Sequence, residues 1–147
     1  MCDIYIKISR RSPKPGEGMY LAVLEAKTAS GKAGTLTIWK SFDEITPHQL
    51  ELQAVNDALH RFKRHADVRI HSDHGWFETI RERGWFEKWQ QAGWIVKGKP
   101  AAGAEVLQEI YMIETVCGIT IESVDNNLGP YKIWLESEIE RRKDGYS

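Results

Sequence analysis

Apolar and polar positions alternate at the start of the chain, Ile4, Ile6 and Ile8 against Tyr5, Lys7 and Ser9. This period of two predicts a strand over Asp3 to Ser9 with two unlike faces. Pro13, Pro15, Gly16 and Gly18 predict a loop. Met19 to Lys27 and Thr35 to Phe42 predict two more strands about a turn at Gly31 and Gly34, making an antiparallel meander. The period then lengthens. Thr46 as N-cap and Pro47 in the first turn start a helix to about Lys63, with Leu50, Ala54, Val55, Ala58, Leu59 and Phe62 facing inward. Asp67 to Asp73 predicts a fourth strand. Gly75 to Arg83 and Trp85 to Ala92 predict two short helices divided by Gly84. Lys97 to Pro100 reads as a basic loop. Ala104 to Val116 predicts an amphipathic helix, Ile119 to Asp125 a fifth strand, and Pro130 to about Arg142 a last helix. A strand that follows a helix implies a parallel crossover. The predicted fold class is therefore α/β, with a mixed five-stranded sheet (three antiparallel strands, then two parallel crossover strands) and helices on both faces.

Composition changes this picture little. A length of 147 residues, 41% apolar and 28% charged, suits one globular domain over residues 1–147. Twenty basic and 21 acidic side chains give a net charge of −1, so nucleic-acid binding would rest on a local basic stripe. Cys2 and Cys117 lie far apart without metal-ligand spacing and read as reduced thiols. No apolar run approaches the ~20 residues needed to span a bilayer, and the N-terminus lacks a secretory pattern. The expectation is a cytoplasmic monomer without a membrane partner.

Two stretches carry candidate chemistry. His71-Ser72-Asp73 ends an apolar strand, where an open sheet usually places its ligand site. Trp85, Trp89 and Trp94 follow, the first two on one helix face, with Gly93 as the helix stop. Arg10, Arg11 and Lys14 make a basic loop suited either to solvent or to phosphate.

The order of elements and four local motifs resemble the ribonuclease H family, more closely bacterial type 1 ribonuclease H, over nearly the whole chain. Pro15-Gly16-Glu17-Gly18-Met19-Tyr20 is similar to the family's Pro-Gly-rich approach to its second strand. Leu50-Glu51-Leu52-Gln53-Ala54 resembles its helix motif with a catalytic glutamate. His71-Ser72-Asp73 resembles its strand end with a catalytic aspartate. The tryptophan triplet with Lys99-Pro100 resembles its handle region. The resemblance implies Mg²⁺-dependent cleavage of the RNA strand of RNA–DNA hybrids. In that chemistry, carboxylates hold two metal ions about 4 Å apart beside the scissile phosphate. It assigns Glu51 and Asp73 as metal ligands and catalytic residues, with Glu136 from the last helix. Glu140 and Asp125 compete for the Glu136 role. Arg10, Arg11, Lys14, His48, His74, Trp85, Lys88, Lys97 and Lys99 are the candidate nucleic-acid contacts around that site.

The fourth acid is missing. Aligning Cys2 to Ser9 with the family strand puts Lys7 at the catalytic aspartate. Sliding the strand brings only Ile8 or Ser9 there, and Asp3 lies roughly 13 Å away at ~3.3 Å per residue. Three carboxylates and one ammonium leave a net charge of about minus two, enough for one Mg²⁺ ion at best or for none. The Lys7 ammonium is expected within hydrogen-bonding reach of Asp73 or Glu51. Substrate contacts depart too. Pro47 and His48 stand where the family has polar amides, His74 where it has a small hydroxyl, Gly103 near its handle asparagine, and Asn126 or Asn127 at its mobile histidine.

Structural roles compete with these. Asp73 is equally suited to capping the next helix. Glu136 fits the solvated face it shares with Glu138 and Glu140. The tryptophans suit core and handle packing, and His71 and His74 suit structural hydrogen bonds. The leading expectation is a hybrid-binding ribonuclease H-like protein with a degenerate metal site. An active Mg²⁺-dependent endoribonuclease and a protein-interaction module without nucleic acid are the alternatives.

Overall fold

The structure, a computed structural model, describes residues 1–9, 12–27, 31, 33–62, 65–100 and 103–143. Three strands, β1 (Cys2–Ile8), β2 (Gly16–Lys27) and β3 (Ala33–Ile45), form the antiparallel meander. Helix α1 (Pro47–Leu59) leads to β4 (Ala66–Ser72), which pairs parallel to β1. Helices α2 (Trp76–Glu82) and α3 (Trp85–Gln91) follow, then a short hairpin of β5 (Ile95–Val96) and β6 (Lys99–Pro100). Helix α4 (Ala104–Val116) leads to β7 (Ile119–Asp125), parallel to β4. A 3-10 turn (Gly129–Tyr131) opens onto α5 (Lys132–Lys143). The main sheet has the order β3-β2-β1-β4-β7. This is the mixed sheet expected from the chain's periodicity. Among the described residues no helix is long and apolar enough to cross a membrane.

Strand alternation sorts the molecule into two layers. Ile4, Ile6 and Ile8 of β1, Tyr20, Ala22 and Leu24 of β2, and Val68 and Ile70 of β4 point to one face. There they meet Leu50, Ala54, Val55 and Ala58 of α1 and Leu107, Ile110 and Ile113 of α4. Tyr5, Leu21 and Val23 point to the other face, under Leu128 and under Leu135 and Ile139 of α5. Thr46 starts α1 with a capping box, its hydroxyl accepting the Gln49 N–H while the Gln49 side chain accepts the Thr46 N–H.

Three expectations are corrected. Lys97 to Pro100 belongs to a hairpin, not a plain loop. Lys97 and Gly98 both take positive φ (52° and 79°), the conformation a two-residue turn needs to match strand twist. Pro130 lies in the 3-10 turn, and α5 begins at Lys132, because that turn must first bring the chain over Tyr5. Helix α1 ends at Leu59, with His60 as its C-cap, short of the expected limit; Lys63 lies outside the described residues.

Leu107 is fully buried and joins α4 to the sheet. Leu107→Ala is expected to lower unfolding free energy by about 2–5 kcal/mol, read by urea denaturation. A loss under ~0.5 kcal/mol would mean that α4 does not dock as described.

Candidate functional site

Parity places Lys7 on the α5 face of β1, beside the end of β4. Its ammonium donates to Asp73 Oδ2 at 2.7 Å, and the two side chains are 18% and 13% exposed. The expectation for Lys7 thus holds through Asp73. The pair lines a cleft of about 550 Å³ together with Asn126, Asn127, Leu128, Lys132 and Glu136. Lys7, Asp73 and Glu136 therefore line one cleft. Glu136 is exposed, and its ion pair to Lys132 is loose at 3.9 Å. Glu140 pairs instead with Lys143 at 3.1 Å.

Glu51 does not line this cleft. It is fully buried, and its two oxygens take three donors. Oε2 accepts the Ser72 hydroxyl at 2.5 Å and the Gly75 N–H at 3.0 Å, and Oε1 accepts the Phe77 N–H at 2.5 Å. The last two are orphan donors of the first turn of α2, so a glutamate on α1 caps a helix twenty-odd residues later. Burial pushes the Glu51 carboxyl above the ordinary range, outweighing the three hydrogen bonds that favour its charge. The sequence signal for this role was the position of Glu51 between Leu50 and Leu52, on the inward face of the helix.

Asp125, the remaining competitor, belongs to a separate network. His71 bridges two carboxylates, Nδ1 to Asp125 Oδ1 at 2.8 Å and Nε2 to Asp3 Oδ1 at 2.9 Å. Its ring stacks on Tyr5 at 4.6 Å. Arg69 adds a hydrogen bond to Asp3 Oδ2 at 3.0 Å. Burial would raise the Asp3 carboxyl, but His71 and Arg69 outweigh it and hold the group below its ordinary range. Sequence reading missed this network, although the parallel register sets Asp3 beside Arg69 and Tyr5 beside His71.

A ring row borders the Asp73 side. His48 Nδ1 lies 2.8 Å from His74 Nε2, and His48 stacks on Trp76 at 4.1 Å with 3° between planes. Burial lowers the His48 pKa. Trp76 meets Trp85 at 5.9 Å, and Trp85 stacks on Trp89 at 5.8 Å. Arg83 lies 5.2 Å from the Trp85 ring centre. Trp94 instead packs against Phe86 and Tyr111 in the core. These contacts favour handle packing over an open stacking platform. Lys88, Lys97 and Lys99 are exposed, as is Lys14. Arg10 and Arg11 lie outside the described residues.

Two Mg²⁺ ions need several converging carboxylate oxygens. Here Asp73 Oδ2 is bound to an ammonium and both Glu51 oxygens are bound to protein donors. Among the described residues no three His, Cys, Asp or Glu side chains form a group that could hold a metal ion. The residues present do not fit a two-metal centre, and Glu51 in particular departs from the ligand role that the resemblance implies.

No family model and no curated protein matches the sequence. Solved structures do. One is LC9-RNase H1, a type 1 RNase H with the type 2 active-site motif, at 16% identity and TM-score 0.72; the match covers 99% of this chain and 73% of that one. A foamy viral protease–reverse transcriptase in complex with RNA/DNA hybrid matches at 15% identity and TM-score 0.68, over 92% of this chain and 18% of that one. The same viral protein in complex with dsDNA matches at 16% identity and TM-score 0.65, over 98% and 92%. The chain has the ribonuclease H-like fold.

Glu51→Ala strands three donors, two of them buried, and about 2–4 kcal/mol of stability should be lost in urea melts. A variant as stable as the native chain would refute the capping role. Because the folded-state pKa of Asp3 is depressed, its contribution is full above the ordinary aspartate range and fades as pH falls through the folded value. Asp3→Asn should destabilise the chain at neutral pH and flatten the acid side of its stability profile. An unchanged profile would show that the Asp3–His71–Arg69 contacts contribute nothing.

Proposed function

We propose that this chain binds nucleic acid, with RNA–DNA hybrid as the preferred duplex, and does not hydrolyse it by the two-metal route. The observation that carries the reading is the Lys7–Asp73 ion pair at 2.7 Å, at the strand end where ligand sites of this fold class lie. An ammonium hydrogen-bonded to a would-be ligand competes directly with a metal ion for the same oxygen. Glu51, tied to α2, cannot supply two oxygens without releasing three donors.

Nucleic-acid binding is supported by the fold and by the foamy viral protein, whose structures contain RNA/DNA hybrid in one case and dsDNA in another. Exposed Lys88, Lys97 and Lys99 supply the local positive charge that a net charge of −1 does not. Phosphate contacts of this kind make affinity fall as salt rises. The bland composition leaves the compartment as an expectation of cytoplasm.

The test is a cleavage and binding assay on labelled RNA–DNA hybrid with Mg²⁺ or Mn²⁺. The native chain is expected to bind, more weakly as salt rises, without cutting. Robust metal-dependent cleavage by the native chain, lost in Asp73→Asn, would overturn the non-hydrolytic part. Failure to bind hybrid or any other nucleic acid at low salt would overturn the reading as a whole.

A further inference from the structure

The misfit between the cleft and a metal pair has a positive counterpart, which rests on the nucleic-acid reading above. We infer that the cleft between Lys7 and Lys132 seats one backbone phosphodiester without a divalent cation, the Lys7 ammonium standing in the cation's place.

Four features of the cleft support this. Lys7 carries three N–H donors, one of which goes to Asp73, and its side chain is only 18% exposed. A partly desolvated ammonium binds an anion more strongly than one in open water. Lys132 stands on α5 as a second cation; its 3.9 Å pair with Glu136 is too long for a hydrogen bond and is a surface pair readily exchanged for a phosphate oxygen. The Asn127 oxygen accepts the Gly129 N–H at 2.9 Å, which leaves its NH₂ group as what it offers the cleft, beside Asn126. The volume of about 550 Å³ admits a phosphate with its flanking ribose.

Charge decides between the two occupants. Among the described lining residues, Lys7 and Lys132 balance Asp73 and Glu136, so that lining is neutral. A lining of four carboxylates repels a phosphodiester until divalent ions neutralise it. A neutral lining with two ammonium groups and two amides removes that repulsion and supplies donors, while offering little to Mg²⁺.

The experiment is fluorescence anisotropy with a short labelled RNA–DNA hybrid over a salt series, in EDTA and in Mg²⁺. Native affinity should agree within about twofold between the two conditions. Lys7→Gln and Lys132→Gln should each weaken binding about threefold to tenfold, and each should lower the salt slope by about one. Thermal melts establish that Lys7→Gln is folded; Lys132 is 67% exposed, so Lys132→Gln carries the test if Lys7→Gln unfolds. Native binding that requires Mg²⁺ overturns the phosphate seat. So do unchanged affinity and slope in the folded variants while Lys97→Gln weakens binding, a result that leaves the nucleic-acid reading standing. No native binding in any arm overturns both.

Discussion

The alternation of β1 is the constraint on which the rest depends. This strand sits in the centre of the sheet, with β2 on one side and β4 on the other. Its even residues, Ile4, Ile6 and Ile8, anchor the larger core, so its odd residues must face α5. Asp3, Tyr5 and Lys7 therefore share one face with Arg69 and His71 of β4 and with Asp73 just beyond its end. A slip of one residue would turn the lysine into the larger core and take three isoleucines out of it, so the register is held by the hydrophobic effect and the polar pairings follow from it. Asp3 takes Arg69 and His71, Tyr5 takes His71 and Tyr131, and Lys7 takes Asp73.

Within that frame, the carboxylates of the sheet end have been given protein partners. Asp73 holds an ammonium, Glu51 holds a serine and two backbone amides, and Asp125 holds His71. Each arrangement supplies a carboxylate with positive charge or hydrogen-bond donors from the protein itself. Removing one partner of this partly buried pair leaves the other charge uncompensated and destabilises the chain.

Much of the fold was legible, because the periods of two and of 3.6 fall in separate stretches of the chain. The mixed five-stranded sheet followed from them, whereas the Lys7–Asp73 contact followed from the family resemblance, which sets both residues at one site. What sequence reading misplaced was the direction of Glu51. A glutamate flanked by leucines reads as a site residue once the fold is suspected. The same burial equally suits a cap for a helix whose own N-cap is Gly75, which has no side chain to serve. The hairpin at Lys97 was hidden because lysine is an unusual residue at positive φ. The His71 bridge required the parallel register, which pattern alone does not supply.

The central claim is that the Lys7 ammonium occupies the place of a metal ion. A calorimetric Mg²⁺ titration of the native chain beside Lys7→Asp tests it most directly. The native chain should give no saturable heat, while Lys7→Asp, with two adjacent carboxylates, should bind a divalent ion and melt at a higher temperature as Mg²⁺ is added. Saturable Mg²⁺ binding by the native chain, abolished in Asp73→Asn, would contradict the claim.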